Sequence, residues 1–305
     1  MENSTSNRNS TRCGHVSIIG HPNVGKSTLM NQIIGYKVSA IANKPQTTRN
    51  VIRGILTESN YQIVFIDTPG IHIKSKSLLN KTINREAISA LETVDLIVML
   101  VEAMVWTKED DFVLKRLENI KCPVFLLVNK VDRIKQKEKL LHYMQTVTQK
   151  YDFAEVFPLS AKKNINVDAF VKSTIPFLPK NDFIYPEDFI TDQSVRFLCS
   201  EFIREQLMHN LHQEVPYLTA VDIELFEENE GLTKIHATIW VGRKNQKGII
   251  IGKKGETLKR IGTEARRTLE EFLMTKVYIK LWVKVEENWH NSPKHLQELG
   301  ISQAT

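Results

Sequence analysis

The run Gly20-His21-Pro22-Asn23-Val24-Gly25-Lys26-Ser27 constrains this chain more than any other segment. It matches G-x-x-x-x-G-K-[ST], follows an apolar stretch (His15–Gly20) and opens a helical pattern (Lys26–Ile34), which is the setting a phosphate-binding loop requires. Glycines let the backbone wrap an anion so that successive N–H groups point inward, and the helix N-terminus adds its partial positive charge. Lys26 is placed to reach the β- and γ-phosphates of a nucleotide, and the Ser27 hydroxyl to ligate Mg²⁺.

Further apolar stretches follow at Tyr61–Asp67, Asp95–Glu102, Val124–Asn129 and Val156–Ser160, separated by helical patterns such as Leu78–Leu91 and Glu109–Glu118. Near-continuous apolar runs are what strands covered on both faces show. The alternation predicts a doubly wound α/β domain with a mostly parallel sheet and its site at the strands' C-terminal ends. Pro176, Pro179 and Pro186 then break the pattern.

The second half has another order. A helix is expected over Gln193–His212, then two alternating strands with Val221, Ile223 and Leu225 on one face of the first and Ile235, Ala237, Ile239 and Val241 on one face of the second. A short helix to Ile251, a glycine turn, a long helix Glu256–Leu273 and a strand Lys276–Val285 complete an α+β domain. The expected boundaries are a disordered tail 1–13, a nucleotide-binding domain 14–181, a linker 182–192, a second domain 193–288 and a C-terminal tail 289–305.

Base choice needs a separate argument, because phosphate loops serve ATP and GTP alike. Asn129-Lys130-Val131-Asp132 lies just after an apolar strand, where a carboxylate can accept the N1–H and N2 amine of guanine, an arrangement adenine lacks. A site built around such donors rejects the wrong base by about 10⁴-fold or more, because its polar groups are left unpaired. Ser160-Ala161-Lys162, at another strand end, can offer a backbone N–H to guanine O6. In Asp67-Thr68-Pro69-Gly70-Ile71, Asp67 is placed to hold Mg²⁺ through water, and the Gly70 N–H to sense the γ-phosphate. Thr47 and Thr48, in the polar loop Gln46–Asn50, are both candidates to close over the metal. Ile71 stands where many GTPases carry a water-orienting glutamine, so slow hydrolysis is expected, on the order of 10⁻⁴–10⁻² s⁻¹. His72 is read as a surface residue.

Charge is distributed unevenly around the total of +6. Residues 187–230 are acidic, whereas 242–267 gather Arg243, Lys244, Lys247, Lys253, Lys254, Lys259, Arg260, Arg266 and Arg267 against Glu256 and Glu264. Such a block implies a positive face for an acidic partner. Within it, Gln246-Lys247-Gly248-Ile249-Ile250-Ile251-Gly252-Lys253-Lys254-Gly255 carries a G-x-x-G turn. Glycines there let a sugar–phosphate backbone pass close while lysines neutralise it and an apolar groove receives bases. Candidate RNA contacts are Lys247, Gly248, Ile251, Gly252, Lys253, Lys254, Gly255, Lys259 and Arg266, with Trp282 and Trp289 expected to pack rather than stack on bases.

These motifs, in this order, resemble the translation-factor-related GTPases, and more closely the Era family of bacterial ribosome-assembly GTPases, from about Gly14 onward. The second half resembles a bacterial-type (type II) KH domain, and the ending Leu281–Trp289 is also similar to that family's. The resemblance implies that Thr48 is the Mg²⁺-contacting threonine and that Asn23 helps bind K⁺ beside the phosphates. It implies that the RNA is the 3′ end of small-subunit ribosomal RNA and the partner the immature small ribosomal subunit. His21 stands in place of a usual arginine, Asn164 of a glycine and Gly242 of a common acid.

Cys13, Cys122 and Cys199 are far apart and form no C-x-x-C pair, which argues against a disulfide framework or zinc site and for a reducing cytosol. No secretory signal is evident, and the longest apolar run, Leu96–Trp106, is too short to span a bilayer. A cytoplasmic monomer is expected, with weak peripheral contact at the inner face of the cell membrane left open. Two functions follow: a GTP-hydrolysing switch acting on ribosomal RNA, or a nucleotide-stabilised RNA-binding scaffold in which hydrolysis is incidental.

Overall fold

In the computed structural model, which describes residues 11–70, 77–299 and 301, the apolar runs become a six-stranded sheet in the order β2-β3-β1-β4-β5-β6. Its strands are β1 (Arg12–Ile19), β2 (Ile52–Glu58), β3 (Tyr61–Asp67), β4 (Leu96–Glu102), β5 (Val124–Asn129) and β6 (Glu155–Pro158). All neighbours pair in parallel except β2, which runs antiparallel to β3. The central strands are buried along almost their whole length, as their unbroken apolar sequence requires. Strand β2 has no counterpart among the expected strands. It is half-polar and joins β3 through a turn at residues 59–60, so its apolar run is too short to announce it.

Helix α1 (Lys26–Ile34) starts at Gly25 and stops at Gly35, whose φ of 77° caps the last turn. Helices α2 (Leu78–Ser89), α3 (Lys108–Leu117), α4 (Lys137–Thr148) and α5 (Val167–Thr174) follow. Helix α3 begins with a reciprocal capping box between Thr107 and Asp110.

The chain separates into two units. The sheet belongs to the first, made of residues 11–38, 51–70 and 88–192. The second takes residues 193–299 and 301 together with two segments from the first half, 39–50 and 77–87.

The second unit has the order α6 (Val195–Asn210), β7 (Thr219–Asn229), β8 (Leu232–Val241), α7 (Lys244–Ile251), α8 (Glu256–Leu273), β9 (Lys276–Val285) and α9 (Pro293–Glu298). Its sheet is β7-β8-β9, antiparallel then parallel. Helix α8 and strand β9 occupy the ranges their periodicity predicts. The core joins Leu198, Cys199, Phe202 and Ile203 of α6 to Ile235 and Ala237 of β8 and to Ala265 and Leu269 of α8. One expected facing is corrected. A bulge between Ile223 and Leu225 shifts the register, so Phe226 packs on this core in place of Leu225.

Candidate nucleotide and RNA sites

The loop after β1 turns through three positive φ angles, at Gly20, Asn23 and Gly25. Glycine is needed at 25 because a Cβ there would lie 2.4 Å from Asn129 Nδ2. Lys26 folds back over this loop, donating to the carbonyls of Gly20 (3.0 Å) and His21 (3.1 Å). Burial lowers its pKa from 10.5 to about 8, with Asp67 opposing the shift. Ser27 Oγ donates to Asp67 Oδ2 at 2.7 Å, which brings the end of β3 to the start of α1. A hydroxyl and a carboxylate are hard oxygen donors, a set that fits Mg²⁺ when phosphates complete the shell. Thr68 Oγ1 donates to the Ile18 carbonyl at 2.9 Å and fixes the start of the Asp67–Gly70 turn. Ile71 and His72 lie outside the described residues.

The base-recognition segments come together as expected. Asn129 serves as a brace: its Nδ2 donates to the Val24 carbonyl at 2.7 Å, and its Oδ1 accepts from Ala161 N–H at 3.0 Å. One side chain thus ties the phosphate loop to the Ser160–Lys162 turn. Ser160 Oγ donates to Asp132 Oδ1 at 2.6 Å, which orients the exposed carboxylate that would read guanine. Lys130 sits left-handed at φ 65° and pairs with Glu102. Asn164, in place of a glycine, takes φ 53°, the conformation asparagine tolerates. His21 is held at 2.7 Å by Asp110, which is fully buried in the first turn of α3. Sequence reasoning missed Asp110 and Glu102, because neither belongs to a motif.

Thr48 lies in the loop 39–50, within the second unit, and is buried there. Several cations fasten this loop. Lys44 Nζ donates to the carbonyls of Met208 and Leu211 at the C-terminus of α6. Arg204, paired with Glu201, donates to the carbonyls of Gln46 and Thr47. Arg49 is 2% exposed and donates to the carbonyls of Thr219 (2.6 Å) and Tyr217 (2.7 Å).

The G-x-x-G turn sits between α7 and α8. Gly252 has φ 74°, and a Cβ there would lie 2.2 Å from Thr257 Oγ1. Lys253 and Lys254 are exposed at its tip. Beside it runs a groove of about 480 Å³, lined by Gly255, Lys259, Gly262 and Arg266 on one side and by Tyr278 to Leu281 of β9 on the other. Of the candidate RNA contacts, Gly255, Lys259 and Arg266 line this groove together. Lys247, Gly248, Ile251, Gly252, Lys253 and Lys254 line α7 and the turn that leads into this groove. The β9 wall went unread, although its alternation of lysine with aromatic residues was visible. Trp289 is a packing residue, 1% exposed, whereas Trp282 is half-buried.

Among the described residues no helix is long and apolar enough to cross a membrane, and no cluster of three or more His, Cys, Asp or Glu side chains is suited to a metal ion.

Comparison with known proteins finds matches to both halves of the chain. Residues 15–130 match the family model described as 50S ribosome-binding GTPase, and residues 214–290 match the KH domain. The chain is 46% identical over 293 residues to GTPase Era of Yersinia pestis, covering 96% of this chain and 97% of that protein, and equally similar to GTPase Era of Yersinia pseudotuberculosis. The crystal structure of a single-residue variant of Aquifex aeolicus Era bound to GDP·AlF4⁻ superposes with a TM-score of 0.92 at 36% identity, covering 96% of this chain and all of that one. A crystal structure of Era in complex with MgGDPNP and nucleotides 1506–1542 of 16S ribosomal RNA gives the same score and coverage at 37% identity. The braced loops at Gly20–Ser27, Asp67–Gly70, Asn129–Asp132 and Ser160–Lys162, followed by a KH fold with its basic turn, place this chain in the Era family of GTPases.

Proposed function

We propose that this protein is a GTP-hydrolysing switch that binds the 3′ end of small-subunit ribosomal RNA in the cytoplasm and assists maturation of the small ribosomal subunit. The observation that carries this reading is the pairing, in one chain, of a braced guanine-nucleotide site with a basic KH groove. A relative similar over 96% of this chain holds MgGDPNP and 16S ribosomal RNA together.

On the nucleotide side, the amides of residues 20–27 surround the phosphates, Lys26 meets the β- and γ-oxygens, and Asp132 reads the guanine edge. Ser27, Asp67 and Thr48 are the residues that would hold Mg²⁺, which would supply positive charge against the phosphate oxygens. On the RNA side, Lys253 and Lys254 meet the phosphates as the strand enters the groove.

The test is to replace both turn lysines, Lys253→Asp and Lys254→Asp, and titrate fluorescent RNA and fluorescent GDP separately. RNA binding is expected to be lost while the Kd for GDP stays unchanged. RNA binding at wild-type strength would overturn the groove assignment.

A further inference from the structure

Strand β9 is an edge of the C-terminal sheet, and alternate residues along it read Lys276, Tyr278, Lys280, Trp282, Lys284. Val277 and Val283 between them are buried in the core, so strand alternation sets these five on the opposite, open face, about 6.6 Å apart. The three lysines are exposed, and Tyr278 is 51% exposed. His236 of β8 stands edge-to-face with both rings, 6.3 Å from Tyr278 and 5.3 Å from Trp282, and holds them in place. Lys280 Nζ lies 4.8 Å over the Trp282 ring.

We propose that this strip is a second RNA-binding surface, which takes the single strand leaving the KH groove and stacks its bases on Trp282 and Tyr278. The inference rests on the RNA-binding reading above, and three observations favour this occupant.

The strip is continuous with the groove, because Tyr278 and Lys280 already form part of the groove wall. Its chemistry suits a single strand: aromatic faces stack on any base, and interleaved cations follow the phosphates. Lys280 covers the ring face that a base would take, so an incoming base displaces the ammonium towards the adjoining phosphate. Charge also sets the path. On the same face β7 carries Asp222, Glu224 and Glu227, and Glu224 ties down Lys284 at 2.7 Å. These carboxylates repel phosphates and confine the strand to the β9 edge. Finally, a KH turn clamps about four nucleotides, whereas the related complex holds a 37-nucleotide segment, 1506–1542. An RNA of that length runs beyond the groove.

The experiment uses the full chain, a fluorescent RNA of those 37 nucleotides, and two substitutions at Trp282, which is not in the groove wall. Trp282→Leu keeps apolar bulk without a π-face, and Trp282→Phe keeps the face. Trp282→Leu is expected to weaken RNA binding by about 5- to 150-fold, the range for loss of one stacked base. Trp282→Phe should remain within about threefold of wild type, with GDP affinity and melting temperature unchanged in both. Equal affinity in wild type and Trp282→Leu would overturn the proposal. Should Trp282→Leu unfold, ultraviolet cross-linking of the wild-type complex decides: a nucleotide attached to Trp282 supports the strip, and attachment confined to the turn, α8 and the groove wall at Tyr278 refutes it. A wild-type chain that fails to bind the 37-mer removes the RNA-binding reading itself. A chain that binds through Lys253 and Lys254 but ignores Trp282 removes only the strip.

Discussion

Lys26 must carry a charge to meet phosphate, yet in the nucleotide-free protein burial holds its pKa near 8. The unfolded chain keeps the ordinary value of 10.5, so between about 8 and 10.5 it binds the proton that the folded protein has lost. Lys26 therefore makes the empty protein more stable as pH rises through that window. Bound phosphate favours the ammonium and raises the pKa again. Below about pH 8 binding takes up no proton, and above it each pH unit should lower affinity about tenfold. Measured with fluorescent GDP without added magnesium from about pH 6.5 to 9.5, the Kd should be flat and then rise. Lys26→Arg, charged throughout, should remove that part of the slope. A slope unchanged in Lys26→Arg would assign it to another group. The positions of Lys26, Ser27, Asp67, Asn129, Asp132 and Ser160 were legible because phosphate and guanine chemistry demands those side chains at strand ends. Asp110 was not, since it meets His21 from 89 residues away and no local pattern marks it.

At the scale of elements, α8 and β9 were readable to the residue because each keeps one period along its whole length. Leu225 was misplaced because a bulge leaves the composition of β7 unchanged while reversing which side chains face the core. Helix α6 was expected over Gln193–His212 and is found at Val195–Asn210, but its periodicity does not show how much of it is buried, because Glu201, Arg204, Glu205 and Gln206 are covered as well as its apolar side. Part of that polar side grips the loop 39–50, with Arg204 held between Glu201 and the carbonyls of Gln46 and Thr47. Arg204 and Glu201 side chains are 3% and 9% exposed, so removing the carboxylate strands a buried guanidinium. Glu201→Ala should therefore cost about 3–5 kcal/mol, the range for breaking one member of a buried pair. Urea unfolding should show the loss, and amide exchange should rise across residues 39–50. Wild-type stability in that variant would mean that the carbonyls alone satisfy Arg204.

For the whole molecule, the division of the chain matters more than its two folds. The phosphate loop belongs to the first unit, whereas the loop bearing Thr48 is built into the second, fastened by Lys44, Arg49 and Arg204. On the role proposed for Thr48, a nucleotide that engages this threonine would act on a segment packed within the second unit. A ligand shifts an equilibrium only by its differential affinity for the two states, and this fastening supplies a physical difference on which GTP and GDP can act unequally. RNA affinity measured with a GTP analogue and with GDP should accordingly differ by about 5- to 150-fold, the usual span of coupling between sites. Linkage is reciprocal, so saturating RNA must change the preference for GTP analogue over GDP by the same factor. Arg49→Lys keeps the charge but not the fork that spans the Tyr217 and Thr219 carbonyls, and it should shrink both factors together. Identical RNA affinities with GTP analogue, GDP and no nucleotide would leave the two sites uncoupled and the fastening a matter of stability alone.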